Sequence, residues 1–406
     1  MKKFFVFWTS QAFSIFGSSV VGFALAWYLT KETGSATILT TAMLVNILPQ
    51  VVLGPFIGPF IDRWNRKKIM IYSDLITALL TLVLVILFYT NSIQIWHVYV
   101  IMAGRAVSGA FQDPALYASL AMIVPKEHLA RANGFNMTLR GATNIVAPLT
   151  GAFLLEALKM QWLLSVDIIT AVIAVGILIQ LTIPQPPRTT LSSKPHIIGD
   201  MIQGFCYVAS SRGLLLLLVL IGVMSFFTAP GISLMPIFVT KYLGGEVLKL
   251  GWLQTARGVG VIAGGLILGI WGGFNRRILT AFIFIVIQAI AYMVFSFTTE
   301  SLFLMGTAMI LVTGMSGAFI GGPINAIFQS VVARDVQGRF FALMSSITGA
   351  MMPLGLVIAG PSADAVGVRW TFLISGAAVM ICALAGFFSR SLMNIESQKP
   401  GTNQSQ

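Results

Sequence analysis

The stretch Gly58-Pro-Phe-Ile-Asp-Arg-Trp-Asn-Arg-Lys-Lys68 decides the fold of this chain. Residues 62–68 hold one acid and four bases, and apolar stretches at 36–61 and 69–90 flank them. A short charged stretch between apolar ones is typical of a loop between two membrane helices, with its bases at the level of the lipid head groups. Asn65 stands where the chain must turn, and Asn tolerates the left-handed backbone conformation almost as Gly does. The sequence therefore predicts a tight basic loop between two membrane helices.

The composition excludes a soluble globular protein. The chain has 406 residues, of which 57% are hydrophobic and only 9% are charged, and its mean hydropathy is +0.89. A soluble domain of ordinary composition has about a quarter of its residues charged. The net charge of +12 would suit nucleic acid in a soluble protein, but topology and anionic lipid account for the bases of a membrane protein. We therefore expect a polytopic membrane protein without a nucleic-acid partner.

Apolar windows of about 20 residues, bounded by charges or by clusters of Gly, Pro and Asn, predict twelve membrane spans. The first window, from Phe4 to Leu29, imitates a secretory signal, but it is long enough to cross the membrane and we count it as a span. The predicted spans are 4–29, 36–61, 69–90, 96–124, 133–158, 162–183, 213–240, 247–273, 277–298, 302–333, 339–363 and 370–389.

The distribution of bases predicts the orientation of the chain. Of the 25 Lys and Arg residues, seventeen fall on the side of the basic loop, five fall on the opposite side and three fall within spans. Because cytoplasmic loops carry the excess of bases, both termini are expected in the cytoplasm. The predicted domains are a six-helix bundle at 1–183, a cytoplasmic linker with an interfacial helix at 184–212, a second six-helix bundle at 213–390 and a disordered cytoplasmic tail at 391–406.

The two predicted bundles resemble each other in sequence. The segment 109–114 in the fourth span is matched by 317–323 in the tenth, and 147–149 in the fifth span is matched by 352–354 in the eleventh. Chance recurrence of small residues in apolar helices is the alternative. We expect an all-α membrane protein with 12 transmembrane helices in two pseudo-symmetric six-helix bundles around a central cavity.

Arg105 is the clearest polar residue inside a predicted span. An Arg or Asp at the bilayer centre costs about 2.5–3.5 kcal/mol on insertion scales, so it should face a cavity or a partner. Gly109 and Asp113 follow Arg105 at four-residue steps on the same helix face. We expect Arg105 either to face a cavity and tune a nearby acid, or to tie the fourth span to the first through main-chain carbonyls or Gln11.

Acids within spans are candidates for proton coupling, because desolvation favours the uncharged form of a carboxyl. Asp113 is our first candidate and Asp167 the second. Asp74 is expected to pair with the bases of the loop instead. Pro148 and Gly151 lie in a stripe of small residues on which helices can slide. Three further charged residues are placed near helix ends, where long side chains reach water: Arg140, Glu156 and Arg257.

The order of residues in the basic loop resembles the signature G-x-x-x-D-R-x-G-R-K of the major facilitator superfamily, with Asn65 in place of the second Gly. The segment 147–152 is similar to a degraded form of the G-x-x-x-G-P-x-x-G-G stripe that marks exporters in this superfamily. Further segments resemble the macrolide-efflux (Mef-type) branch of the drug:proton antiporters: 28–36, 54–58, 66–71, 74–76, 114–116, and Asp167 with 171–174.

This resemblance implies a secondary exporter of hydrophobic or amphipathic drugs, macrolide antibiotics first, that works by proton antiport and alternating access. The protein is then a monomer of the bacterial inner membrane, with protons and lipid as further partners and with no cofactor or metal. No enzymatic activity is expected, since the sequence contains neither a nucleophile–base pair nor a phosphate-binding loop. The residues expected to gate the conformational change are Gly58, Asp62, Arg63, Arg66, Lys67, Asp74, Pro148 and Gly151.

Aromatic and amide residues within the spans are expected to line a cavity for a bulky apolar solute. Proteins of similar appearance export siderophores or flip lysophospholipids, so these remain alternative functions, and a non-transporting membrane sensor is the alternative from another class. The predicted substrate-binding residues are Gln11, Phe16, Asn46, Phe111, Gln112, Tyr117, Asn144, Trp252, Phe319 and Asn325.

Overall fold

The computed structural model describes residues 2–183, 205, 208–209, 211–333 and 336–397. Long helices form because lipid offers no hydrogen-bond partner to the backbone, and a helix satisfies every internal N–H and C=O within one segment. The helices are α1 (Lys2–Thr33), α2 (Ala36–Arg63), α3 (Arg66–Tyr89), α4 (Ile95–Ile123), α5 (Leu129–Ala157), α6 (Met160–Gln180), α7 (Arg212–Ser233), α8 (Met235–Tyr242), α9 (Val247–Trp271), α10 (Arg277–Ser296), α11 (Phe303–Val331), α12 (Gln337–Val366), α13 (Val368–Phe387) and α14 (Arg390–Met393).

Twelve of these helices have 20 or more residues, and their bounds lie within a few residues of most predicted spans. Ten of the twelve are long and apolar enough to cross a membrane. The other two are α4 and α5, which carry the charged residues described below. All secondary-structure elements of the described residues are thus helices, and the chain has the composition of a multi-pass membrane protein.

The seventh predicted span, 213–240, is not one helix. It is broken at Leu234 into α7 and α8, and Pro236 stands at the start of α8. Proline has no N–H to donate and its ring clashes with the carbonyl four residues earlier, so a continuous helix through this position is disfavoured. The prediction of an unbroken span was wrong here.

The basic loop also differs from its prediction. Asn65 has φ −70° and ψ 109°, so it is extended rather than left-handed. Its side chain accepts a hydrogen bond from the backbone N–H of Lys68 at 3.1 Å. Asn65 is therefore the N-cap of α3, a position that Asn favours because its side chain satisfies one of the free N–H groups of the first turn.

The chain divides into two compact units. The N-terminal unit comprises Met1–Gly34, Thr41–Ser193 and Glu246–Thr255. In it, α1 packs against α5 and α6, and α3 packs against α4 and α6. The core on one side of this unit is built around the fully buried side chains of Phe4 and Phe7.

The C-terminal unit comprises Ser35–Thr40, Lys194–Gly245 and Ala256–Gln406. In it, α10 packs against α11 and α13, and α7 packs against α12. Residues 391–397 belong to this unit and are largely helical, with Leu392 and Ile395 buried in its core. The predicted disordered tail therefore does not begin at 391, while residues 398–406 and most of the predicted linker at 184–212 lie outside the described residues.

Candidate functional site

The N-terminal unit contains a partly open polar cavity of about 350 Å³. Helices α1 to α5 all contribute to its wall, and most of the contributing side chains carry hydroxyl, amide or charged groups. A cavity of this size inside a membrane protein is a natural site for the polar residues that lipid would exclude. The polar side chains of the lining are Gln11, Ser14, Ser18, Ser19, Asn46, Gln50, Thr77, Arg105, Gln112, Asp113 and Arg140.

Asp167, on α6, is buried beside this cavity in a charge-balanced network. Its Oδ2 accepts hydrogen bonds from Arg105 at 2.5 Å and from Thr81 at 2.7 Å, and its Oδ1 accepts one from Ser18 at 2.9 Å. The guanidinium of Arg105 also contacts the hydroxyl of Thr81. Arg105 therefore ties α4 to α3 and α6, not to α1, and its acidic partner is Asp167 rather than Asp113. One charge thus offsets the other, as burial of an ion pair requires.

Asp74, on α3, occupies a different setting, and only 2% of its surface is exposed. Its Oδ1 accepts hydrogen bonds from Ser14 at 2.6 Å and from Gln112 at 2.7 Å. Its Oδ2 is buried and has no hydrogen-bond partner among the described residues. The expected pairing of Asp74 with the bases of the loop is therefore wrong, because the side chain turns toward α1 and α4.

Asp113, the first candidate for proton coupling, forms an ion pair with Arg140 at 2.6 Å. The two side chains are 46% and 35% exposed, so water or solute reaches this pair. Arg140 lies within α5, about three turns from its start, and its guanidinium lies 5.7 Å from the ring centre of Tyr117. The placement of Arg140 near a helix end was wrong, and so was that of Arg257, which lies in the middle of α9.

The residues predicted to gate the protein are partly described. Arg66 donates to the carbonyl of Ala118 in α4 at 3.0 Å, and Lys67 donates to the carbonyl of Ile179 in α6 at 2.8 Å. Pro148 lies inside α5, and a Cβ added to Gly151 would lie 2.8 Å from the ring of Phe23, so α5 approaches α1 closely there. The surroundings of three further predicted gating residues are outside the described part of the structure: Gly58, Asp62 and Arg63.

The predicted substrate residues fall into separate places. Three of them line the polar cavity, namely Gln11, Asn46 and Gln112, and Asn325 lines a second cavity in the C-terminal unit. The other aromatic residues mostly pack against neighbours: Phe16 lies in the core, Phe111 stacks near Trp64, and Phe319 is buried against Phe284. The ring of Tyr117 faces Arg140. The side chains of Asn144 and Trp252 are exposed.

Asp364, near the end of α12, is a polar contact that the sequence analysis missed. It accepts hydrogen bonds from the backbone N–H groups of Ala36 at 2.8 Å and Thr37 at 2.9 Å, and from the hydroxyl of Ser35 at 2.9 Å. A carboxylate at this position satisfies the free N–H groups of α2 and complements the positive end of its dipole.

A profile of the Major Facilitator Superfamily matches residues 7–244 and again 214–405. The chain belongs to this superfamily. Two matches that together cover nearly the whole sequence agree with the resemblance of the basic loop to the superfamily signature. The superfamily consists of membrane transporters for small molecules, and the prediction of an all-α membrane protein with the major facilitator fold is confirmed.

Curated relatives narrow the position within the superfamily. Macrolide efflux protein A of Streptococcus pyogenes is 32% identical over 382 residues, which is 94% of this chain and 94% of that protein. The protein of the same name from Enterococcus faecalis is 31% identical over 80% of this chain and 100% of its own length. Multidrug efflux pump Tap of Mycolicibacterium fortuitum is 25% identical over 95% of each. The predicted likeness to the macrolide-efflux branch is confirmed.

Solved structures show the same fold at low identity. The nucleoside transporter NupG has a TM-score of 0.71 and 11% identity, covering 98% of this chain and 100% of that one. A bacterial homologue of the iron transporter ferroportin, in an inward-facing state, has a TM-score of 0.71 and 13% identity, covering 98% and 99%. These solved structures show that the chain has the fold of the major facilitator superfamily.

Proposed function

We propose that this protein exports macrolide-type amphipathic drugs from bacteria in exchange for protons, by alternating access. The observation that carries the proposal is its identity of 32% to macrolide efflux protein A over nearly its full length. We further propose that it lies in the inner membrane with both termini in the cytoplasm, since the bases concentrate on that side. Export against a gradient needs an energy source, and each proton that enters supplies about 2.3 kcal/mol per 100 mV in addition to the pH difference.

We assign the exchangeable proton to Asp74. Asp113 and Asp167 each have an arginine partner, whereas the hydrogen-bond partners of Asp74 among the described residues are uncharged. Asp167, on α6, acts on Asp74 electrostatically, and Asp167 is itself paired with Arg105 on α4. A buried carboxyl without a cationic partner is the one whose charge lipid and protein tolerate least. Loading and release of a proton there therefore alters the conformational balance more than at the paired acids.

The drug is proposed to bind beside this carboxyl in the polar cavity. Gln11 and Gln112 supply amide groups to the wall, and Met102 and Leu116 supply apolar surface. Gln112 both lines the cavity and donates to Asp74, so a solute that competes for the amide would disturb the carboxyl directly. This contact gives one route by which drug binding and proton binding affect each other.

Efflux of radiolabelled erythromycin from energised cells tests the function. Cells that express the chain are expected to export the drug faster than empty-vector cells, and a protonophore is expected to abolish the difference. Efflux that survives the protonophore would refute proton coupling. Efflux no faster than that of empty-vector cells would refute the macrolide assignment, and the same cells would then be tested with lysophospholipids and siderophores.

Asp74→Asn separates coupling from transport. In proteoliposomes the variant is expected to lose uphill accumulation while retaining exchange of labelled for unlabelled drug at equal concentrations, because exchange needs no proton. Asp113→Asn is the matched control, because Asp113 lines the polar cavity and already has an arginine partner. Asp74→Asn with normal uphill accumulation would refute the assignment, and loss of exchange as well would show that Asp74 has a structural role instead.

A further inference from the structure

The C-terminal unit contains a second cavity, of about 290 Å³. Its wall is formed by α7, α9, α10, α11 and α12, and most of it consists of isoleucine, methionine and glycine. The serine and threonine hydroxyls of the wall already donate to backbone carbonyls, Ser225 to that of Ile221 and Thr228 to that of Met224. The cavity is therefore apolar apart from a few groups on α9, α10 and α11.

Arg257 is the charged residue of this wall. It lies in the middle of α9, where a guanidinium cannot easily reach the membrane surface. A Cβ added to Gly314 would overlap the carbonyl oxygen of Arg257, so α9 and α11 are in backbone contact at this residue. The close contact restrains the backbone of Arg257, whose side chain lines the cavity.

The described residues that line this cavity include no Asp or Glu. The described acids of the C-terminal unit are used or placed elsewhere. Asp364 caps α2, Glu396 accepts from the backbone N–H of Ile278 at 2.7 Å, and Glu300 lies in the turn before α11. Tyr292, which lines the same cavity as Arg257, contributes a phenol and not a carboxylate. The positive charge thus lacks the compensation that Asp167 gives Arg105 in the N-terminal unit.

We propose that this cavity binds the anionic head group of a single-chain amphiphile, a carboxylate or a phosphate monoester. A guanidinium recognises both groups with two parallel hydrogen bonds, and it does so most strongly where water is scarce. Gln288 on α10 and Asn325 on α11 line the same cavity and offer amide donors, while the isoleucine and methionine side chains accommodate the chain. The cavity volume of about 290 Å³ is at the lower limit of small-molecule sites and suits a ligand with a single acyl chain. The described residues that line this cavity are all different from those that line the polar cavity proposed for drug and proton.

Displacement of labelled dodecanoate from the purified full chain tests this inference. The chain is reconstituted in phosphatidylcholine nanodiscs without an ion gradient, and bound [³H]dodecanoate is measured by scintillation proximity. Unlabelled dodecanoate or dodecyl phosphate is expected to displace the label at a concentration at least ten times lower than methyl dodecanoate or dodecylamine does. The better competitor of the two anions identifies the source, a free fatty acid or a phosphate head group. Equal displacement by the ester or the amine would refute the proposal.

Variants locate the site. Arg257→Gln is expected to weaken dodecanoate binding at least tenfold, and Arg257→Lys is expected to weaken it less, because the charge remains while the two-pronged geometry is lost. Arg276→Gln is the control, since Arg276 is an exposed base at the start of α10 outside this cavity. Equal binding by Arg257→Gln and Arg276→Gln would refute the assignment to this cavity. Should Arg257→Gln fail to fold, Arg257→Lys and the competition series on the unmodified chain still decide the question, and neither depends on macrolide efflux.

Discussion

The buried pair of Arg105 and Asp167 is expected to stabilise the fold far more than the open pair of Asp113 and Arg140. Arg105 and Asp167 are 10% and 2% exposed, whereas Asp113 and Arg140 are 46% and 35% exposed. Removing one partner of a buried pair typically costs about 3–5 kcal/mol, because the other charge is left without compensation. Two hydroxyls would remain on Asp167 after loss of Arg105, so we expect Arg105→Gln to cost about 3 kcal/mol, at the lower limit of that range.

The measurement is the free energy of unfolding in mixed detergent micelles titrated with dodecyl sulfate. Arg105→Gln, Asp167→Asn and the double variant form one thermodynamic cycle, and the corresponding changes at Asp113 and Arg140 form the control cycle. The first cycle is expected to give a coupling energy above about 1.5 kcal/mol, and the second is expected to give about 0.2–1 kcal/mol. Equal coupling in the two cycles would refute the reasoning, as would an Arg105→Gln variant within about 0.5 kcal/mol of the unmodified chain.

Three further predictions concern helix ends and helix contacts. Asp364→Ala removes the acceptor at the start of α2 and is expected to cost about 1–2 kcal/mol, measured as at least fivefold faster hydrogen exchange of the first α2 amides; unchanged exchange would contradict it. Asn65→Ala removes the N-cap of α3 and is expected to lower the free energy of unfolding by about 1 kcal/mol, whereas Asn65→Asp should change it little. Gly314→Ala should destabilise the chain by about 1–3 kcal/mol by forcing α9 and α11 apart, whereas Gly317→Ala on the same helix meets no atom within 4 Å and should be tolerated.

The architecture could be predicted from the sequence because lipid imposes a simple rule on it. Each span must be about 20 apolar residues long and helical, so windows of hydropathy locate the helices without knowledge of their partners. The prediction was wrong where a local backbone rule competed with hydropathy. Pro236 breaks the seventh span, and Asn65 acts as a cap where only its tolerance of the left-handed conformation was considered.

The candidate site could be predicted only in part. Arg105 was recognised because a charge inside a span needs a reason, but spacing along one helix associated it with Asp113. Its actual partner, Asp167, is 62 residues away on α6. Pairing between helices depends on how α3, α4 and α6 rotate against one another, and no periodicity within a single span records that rotation.

The partners of Asp74 and Asp364, which were not predicted as coupling sites, also lie on other helices and could not be predicted from the sequence. Asp74 lies one to three turns from the bases of its own loop, and sequence proximity alone favoured a pairing with them. Instead, the hydroxyl of Ser14 and the amide of Gln112, which lie on other helices, donate hydrogen bonds to the carboxyl of Asp74. Asp364 was missed because an acid near a helix end is common and does not by itself indicate a partner. Its hydrogen-bond donors at the start of α2 lie more than 320 residues away in the sequence.

The geometry of the basic loop gives Arg66 and Lys67 each a hydrogen-bond partner on a different helix. Arg66 and Lys67 occupy the first turn of α3, where the positive end of the helix dipole makes a cation unfavourable. A loop that only oriented the chain could place its bases anywhere nearby. Here the carbonyl of Ala118 and the carbonyl of Ile179, at the last turn of α6, accept hydrogen bonds from these two bases and compensate the dipole. Because each base needs a partner on a different helix, the start of α3 is held against both α4 and α6, and moving either base by one position would break one of these contacts.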